Sequence, residues 1–346
     1  MQALILAGGE GTRLRPLTAN TPKPIVPIGN EPFLFRQIEA LKNAGVTDIT
    51  LSTGYQPLAI EKALGNGASY GVHLRYLVEP KPLGTAGAYK FAEQFLETTT
   101  IVLNGDILTD IDLSAVARQH KKHSAAATIV LTEVENPSAY GLVEVGENEQ
   151  VLRFLEKPKP DEISRININT INAGIYILEP EVLNCIPENE NYSFEYGVFP
   201  GLLERQANFR AFVARDAYWL DIGTPERYLQ AHRDLITGKI RSFKVNRAGN
   251  FNRSANAEID DKSCIADGCI IKQNAKIINS VLGRDVVIEE NAVIQNSVIW
   301  SGTRINSYTN VLGSIIGKDC HIGSNVVLAH GSVLGDKTSI ANFTNY

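Results

Sequence analysis

The chain has 346 residues, 44% of them apolar and 21% charged, with a formal net charge of −5. That length exceeds one ordinary core and implies two domains or more, in a globular composition. An acidic chain lacks the diffuse positive field that draws proteins to nucleic acid, so a polyanionic ligand must be met by a few placed cations and backbone N–H groups.

The N-terminus has no basic segment leading into a long apolar stretch, which argues against a secretory signal. No run approaches the roughly 18 apolar residues of a membrane span. A cytoplasmic protein without membrane contact is expected. Four cysteines, Cys185, Cys264, Cys269 and Cys320, form no CxxC pair, and read as reduced thiols, most of them buried.

Short β-branched runs at Ala3–Leu6, Ile49–Ser52, Leu74–Val78, Ile101–Leu103 and Thr128–Thr132 read as strands. Phe33–Ala44 and Thr85–Phe95 read as helices between them. This alternation predicts an α/β domain, a Rossmann-like mixed, mostly parallel sheet with helices on both faces. Ligands of such sheets bind beyond the carboxyl ends of the strands. The loops after Leu6, Val78 and Leu103 are therefore the places to look for chemistry.

The first of these loops is LAGGEGTRLRPLT, Leu6–Thr18. Gly8, Gly9 and Gly11 let the backbone bend and approach a ligand, and successive N–H groups there make an anion site that Arg13 can supplement. No GK[ST] follows, and Leu14 stands where a third dinucleotide-binding glycine would be. Next comes Thr21-Pro22-Lys23-Pro24, where two prolines hold Lys23 in stiff backbone. Further along, Asp106 ends a strand in Asn104-Gly105-Asp106, and Asp221 lies in Trp219-Leu220-Asp221-Ile222-Gly223. Each reads alone as a turn or cap residue as readily as a metal ligand.

The texture changes near residue 250. Apolar residues then recur every six positions in three phases: Ile259, Ile265, Ile271 and Ile277; Val287, Val293, Ile299, Ile305 and Val311; and Ile316, Ile322, Leu328, Leu334 and Ile340. A six-residue period fits a left-handed parallel β-helix of four to five coils. The expected organisation is a first domain at 1–238, a linker at 239–256 and the β-helix at 257–346.

LAGGEGTRLRPLT with TPKP resembles the N-terminal signature of the sugar-1-phosphate nucleotidyltransferases, also called nucleotide-sugar pyrophosphorylases. The resemblance continues in order through EPKPLGTAGA (Glu79–Ala88), LNGD (Leu103–Asp106), YGLV (Tyr140–Val143), EKP (Glu156–Pro158), NAGIY (Asn172–Tyr176) and WLDIGTPERY (Trp219–Tyr228). It spans the whole first domain, and the hexad tail resembles the left-handed β-helix of several members.

The resemblance implies an enzyme in which the phosphate of a sugar 1-phosphate attacks the α-phosphorus of a nucleoside triphosphate and pyrophosphate leaves. Arg13 and Lys23 are the catalytic cations it implies. Leu6, Ala7, Gly8, Gly9, Gly11, Thr12, Glu79, Gly84 and Thr85 would bind the nucleotide. Gly141, Glu156, Lys157, Asn172 and Glu195 would bind the sugar phosphate, and Asp106 and Asp221 would hold Mg²⁺.

Where uridylyl- and thymidylyltransferases carry glutamine, this chain has Glu79. A carboxylate offers only acceptors, which suits the adjacent N–H groups of guanine, so GTP is the favoured triphosphate, and the resemblance implies mannose 1-phosphate as the favoured acceptor. UTP or dTTP with glucose 1-phosphate, or a regulatory homologue that binds nucleotide sugar, are the alternatives. An acyltransferase reading of the β-helix would need His321 or His330. A homo-oligomer in contact through the β-helix is expected.

Overall fold

The computed structural model describes residues 1–134, 137, 140–156, 168–243 and 249–345. Its contacts divide the chain into two compact units, Met1–Gly9 with Leu34–Trp219, and Glu10–Phe33 with Leu220–Tyr346.

The first unit is built on a nine-stranded sheet. Its strands are β1 (Gln2–Ala7), β2 (Asp48–Thr53), β3 (His73–Val78), β4 (Thr100–Asn104), β5 (Ala127–Glu133), β6 (Leu142–Val145), β7 (Val151–Leu155), β8 (Thr170–Leu178) and β9 (Phe209–Val213). The path runs β7-β6-β8-β4-β1-β2-β3, with β5 joining β8 to β9. β1 pairs in parallel with both β2 and β4, β2 with β3, and β5 with β9, while β8 runs antiparallel to β4, β5 and β6. The central strands read as nearly unbroken apolar runs because both of their faces are covered. On one face Tyr89, from the helix Gly84–Phe91, packs with Leu4, Val102, Ile129, Tyr176 and Phe194.

Chain order turns back at β1. From there β2 and β3 extend one way, and β4 lies on the other side. Such a reversal opens a crevice at the carboxyl ends of the two strands. Here the crevice is bordered by Ala7-Gly8 and Asn104-Gly105-Asp106.

In the second unit, Glu10–Phe33 forms three single turns, Thr12–Leu14, Leu17–Ala19 and Lys23–Ile25, followed by paired short strands at Pro27–Ile28 and Glu31–Pro32. The expected β-helix is present as parallel sheets of six, five and five short strands. It begins at Asn252–Arg253, which pairs with Ile270–Ile271, within the stretch expected to be a linker. Its corners need left-handed backbone and are occupied largely by Gly, Asn and Asp, such as Gly268, Asn274, Asp285 and Asn291.

One detail of the hexad reading is corrected. Val287 and Val293 are only half-buried, and Ile288 and Ile294 fill the interior at 0% exposure. The reason is the coil length. Ile265 stacks on Leu282, Leu282 on Ile299 and Ile299 on Ile316, each 17 residues apart. Two six-residue sides are closed by one five-residue side in these turns, so the inward phase slips once in each, whereas the last coil, Ile316 to Leu334, has 18 residues and no slip.

One face of the β-helix is covered by its own unit. The outward residues Cys264, Val281, Val298 and Ile315 are all buried. Helix Pro225–Ile236 lies over Val281 and Val298 through Leu229, His232 and Ile236, and Asn30 donates to the Leu282 carbonyl at 3.1 Å. Cys264, Cys269 and Cys320 are buried and Cys185 is half-buried, and none of the four is in a disulfide. No helix among the described residues is long and apolar enough to cross a membrane.

Candidate active site

In the first unit Gly8, directly after β1, has no room for a side chain, since a Cβ there would lie 2.7 Å from the Glu79 Oε1. Glu79 follows β3 and is held at three points. Its N–H donates to the Thr53 carbonyl at 2.8 Å, its Oε1 accepts from the Ser52 hydroxyl at 2.8 Å, and its Oε2 accepts from the Leu83 N–H at 3.1 Å. A half-buried carboxylate is thus fixed in orientation beside the glycine loop, with further acceptor capacity on each oxygen.

The turn after β4 is fixed as firmly. Gly105 donates to the Leu6 carbonyl at 2.9 Å, and a Cβ there would meet that oxygen at 2.6 Å. Buried Gln37 donates to the carbonyls of Asn104 and Ile107, both at 2.9 Å. Asp106, half-buried, sits between these anchors.

A second cluster surrounds β8. Its ladder with β5 is broken between Asn172 and Tyr176, and Gly174 there has φ +72, with the space of a Cβ filled by the Asn104 amide. The resulting bulge aims Asn172 along the strand. Asn172 Nδ2 donates to the Tyr176 hydroxyl at 2.9 Å, and that hydroxyl donates to Glu195 Oε1 at 3.3 Å. Glu195 Oε2 accepts from Thr85 at 3.0 Å and from Ser193 at 2.5 Å. Burial chiefly, and the Glu195 carboxylate next, push the Tyr176 phenol well above its ordinary range, so it stays a neutral donor.

Gly141 donates space to the same cluster. A Cβ there would lie 2.6 Å from Glu156 Oε2, and its carbonyl accepts from the Asn172 N–H at 2.9 Å. Gly141, Glu156, Asn172, Glu195 and Thr85 are therefore gathered by a few contacts. Lys157 lies outside the described residues.

One expectation gains a different reason. Gly84 is expected among the nucleotide-binding residues. It has φ +74, and a Cβ would strike the Tyr192 carbonyl at 2.6 Å. That same carbonyl accepts from Ala86 and Gly87, both at 3.0 Å. Local packing already demands glycine at this position.

In the second unit, Gly11 has φ +65 and faces Lys23, whose Cβ would be 3.0 Å from one on Gly11. Thr18, fully buried, closes the loop by donating to the Gly11 carbonyl at 2.8 Å. Lys23 is itself buried, at 8% exposure. A solvated surface lysine is thereby excluded.

Arg13 and Asp221 meet around Gly223. A Cβ on Gly223 would lie 2.7 Å from Asp221 Oδ1 and 2.9 Å from an Arg13 guanidinium nitrogen. Asp221 also accepts from the Gly223 N–H at 2.9 Å and pairs with Arg227 of the helix Pro225–Ile236. That helix is capped by Thr224, so a capping role for Asp221 is excluded.

Residues that motif reading passed over are Ser52, Gln37, Tyr176, Ser193 and Arg227. Tyr176 and Arg227 stand inside quoted motifs, NAGIY and WLDIGTPERY, and the motif was the available signal. Ser52 and Gln37 lie in an ordinary strand and an ordinary helix, and nothing local marks them. Among the described residues no three His, Cys, Asp or Glu side chains gather as a metal cage. A divalent ion that takes one or two carboxylates and fills its shell with phosphate oxygens and water needs no such cage, and Asp106 in the first unit and Asp221 in the second are each a carboxylate of the kind such an ion takes.

The nucleotidyl transferase family profile matches residues 2–238, and the profile of the β-helix domain of EIF2B subunit epsilon matches 244–345. A mannose-1-phosphate guanyltransferase of Pichia angusta is 36% identical, over 98% of this chain and 97% of the relative. A mannose-1-phosphate guanylyltransferase of Mycobacterium tuberculosis is 33% identical over 89% and 82%. Among solved structures, HddC from Yersinia pseudotuberculosis superposes with TM-score 0.58 at 32% identity, covering 67% of this chain and 98% of that one.

Proposed function

Because this chain belongs to the sugar-1-phosphate nucleotidyltransferase family, and so is an enzyme of nucleotide-sugar synthesis, we propose that it joins GTP and mannose 1-phosphate into GDP-mannose and pyrophosphate. The observation that carries the choice of base is the Glu79 carboxylate, oriented by Ser52 and Leu83 against Gly8. It has acceptors only, and guanine presents N1–H and N2–H₂ side by side. A glutamine there would offer one donor and one acceptor, as a pyrimidine edge requires. The names of the relatives from Pichia angusta and Mycobacterium tuberculosis support the same pair.

The reaction is an in-line displacement at the α-phosphorus, and it needs alignment and charge neutralisation more than a covalent partner. Leu6, Ala7, Gly8, Gly9, Gly11 and Thr12 offer backbone N–H groups to the triphosphate. Arg13 and Lys23 neutralise the departing pyrophosphate, and Lys23 is held for this by burial and by Pro22 and Pro24. Thr85, Gly141, Glu156, Asn172 and Glu195 take the sugar, with Tyr176 fixing the spacing of Asn172 and Glu195, and Lys157 takes its phosphate. Members of the family use a divalent metal. We assign it as Mg²⁺, held by Asp106 and Asp221, where it would supply further charge neutralisation at the phosphates. The catalytic part is residues 1–238, followed by a joining segment and the β-helix. The setting is cytoplasmic, with oligomers formed through β-helix faces that the chain itself leaves uncovered.

The test is pyrophosphate release with mannose 1-phosphate, comparing kcat/KM for GTP and UTP in wild type and Glu79→Gln. GTP preferred by the wild type, with the preference collapsing in the variant, is expected. A wild type that prefers UTP or dTTP with glucose 1-phosphate contradicts the choice of base.

A further inference from the structure

The segment Glu10–Phe33 carries Arg13 and Lys23, yet it forms one compact unit with the β-helix and not with the sheet whose first strand it follows. It consists of three single turns and one pair of short strands. A single turn does not hold its shape alone, because it orders several residues for one hydrogen bond. Whatever fixes the two cations must therefore lie outside the segment.

The β-helix and the helix that lies over it, Pro225–Ile236, fasten the segment along its length. Pro16 packs on Gly335, where a Cβ would lie 3.1 Å from the proline Cβ. The hydroxyl of buried Thr21 accepts from the half-buried Lys318 ammonium at 3.2 Å. A bond with a charged donor is roughly twice as strong as a neutral one. The Pro27 carbonyl accepts from the Tyr228 hydroxyl at 2.5 Å and from His232 Nε2 at 3.0 Å. The Tyr228 hydroxyl in turn accepts from the Trp300 indole N–H at 2.9 Å, and both rings are buried. The Lys318 ammonium sits 5.7 Å from the centre of the Trp300 ring, so the routes to Thr21 and to Pro27 start from one wall of the β-helix. Lys23 stands on the chain between these two fastened points, and its side chain packs against Gly11.

We infer that the β-helix sets the position of Lys23, and that Lys318 is a positioning residue for nucleotidyl transfer, acting through Thr21. This rests on the assignment of Lys23 to the triphosphate made above. A lysine stabilises developing charge best when it is held in place before the phosphates arrive, and a displacement of about 1 Å at a reacting group costs on the order of 10²-fold in rate. Thr21 is joined to Lys23 through Pro22, whose ring stiffens the link, so release of Thr21 is felt at Lys23. Asn172 and Glu195 belong to the other unit, so the loss should fall on the nucleotide and spare the sugar.

The experiment compares full-length wild type with Lys318→Met, Lys318→Arg, Thr21→Val and the double variant of Lys318→Met with Thr21→Val. Methionine keeps an apolar stem beside Trp300 and valine keeps the shape of threonine, so each removes the bond with little else. Hydrogen exchange followed by mass spectrometry reads the segment without reference to activity. Peptides covering Glu10–Phe33 should exchange faster in Lys318→Met and Thr21→Val than in wild type, and peptides covering the turn at 104–107 should not. In pyrophosphate release, kcat/KM for the preferred triphosphate should fall roughly tenfold in Lys318→Met. The KM for the sugar 1-phosphate should hold, Lys318→Arg should recover part of the loss, and the double variant should be no worse than Lys318→Met alone. Unchanged exchange over Glu10–Phe33, or faster exchange throughout the chain, overturns the fastening. Local loosening with unchanged kcat/KM, or a rise in the sugar KM as large as the loss on the nucleotide, overturns the positioning role. Additive losses in the double variant overturn the route through Thr21. A wild type inactive with every triphosphate refutes the catalytic reading and the positioning role with it, while the exchange result still decides the fastening.

Discussion

The hydrogen bonds around β8 and those inside the β-helix are built from the same groups and behave differently. Asn172, Tyr176, Glu195 and Thr85 come from three distant stretches, and each is joined to the next by a bond that occurs once. In the β-helix the N–H groups of Ser280, Ser297 and Ser314 each donate at 3.1 Å to a serine hydroxyl 17 residues earlier, rung upon rung. A repeat spreads its stability over near-equivalent neighbours, so a substitution there acts as a local stability change. A unique network fixes geometry, so on the proposed site assignment a substitution there should act on substrate binding while the fold persists. The second unit also carries Arg13 and Lys23, few groups on a stiff scaffold, where removal should affect rate alone.

The largest expected effect probes that last contrast. Arg13→Ala should lower kcat/KM by about 10²- to 10³-fold, the usual loss when one charge-stabilising donor is removed, with an unchanged thermal midpoint. A large fall in midpoint would mean that Arg13 supports the fold through Asp221.

Inside the repeat, Ile288→Ala should cost about 2–5 kcal/mol as a cavity in a closed core, measured by denaturant unfolding. Val287→Ala, one residue away on the outer side, should cost less than about 1 kcal/mol. Equal costs would refute the 17-residue coil. His232 adds a pH test. Its folded pKa, about 4, lies below the unfolded 6.5, so between these values the unfolded chain takes up a proton that the native chain does not. The His232 contribution is complete above about pH 6.5 and is lost as pH falls towards 4, by up to about 3 kcal/mol. The fall in midpoint from pH 7 to pH 5 should shrink in His232→Gln.

The smallest effect is in the unique network. Tyr176→Phe removes only the hydroxyl between Asn172 and Glu195. It should raise the KM for sugar 1-phosphate roughly five- to tenfold, about 1 kcal/mol, with kcat for the remaining steps little changed. A destabilised fold with normal KM would place Tyr176 in packing alone.

These differences also mark what the sequence could carry. The five predicted strands of the sheet and the six-residue period were legible because burial repeats at short range. The slip at Ile277–Leu282 was not, because valines stand on both sides of the wall and hydropathy cannot tell Val287 from Ile288. Gly8 and Gly141 were legible as glycines, and the carboxylates they leave room for, Glu79 and Glu156, were legible through their motifs. The reason for Gly84 was not, because Tyr192, whose carbonyl excludes a side chain there, is more than a hundred residues away. Ser52 and Gln37 were silent for the same reason. Arg227 stood within a quoted motif, but its pairing with Asp221 depends on a helix whose start is set by Thr224.

The most direct measurement is a competition. Full-length protein is given GTP, UTP, dTTP and ATP at equal concentration, mannose 1-phosphate and glucose 1-phosphate at equal concentration, and Mg²⁺, and the nucleotide sugars are separated by chromatography. GDP-mannose should dominate, and Asp106→Asn should abolish it. A dominant UDP- or dTDP-glucose peak, or no nucleotide sugar from any pair, would contradict the assignment.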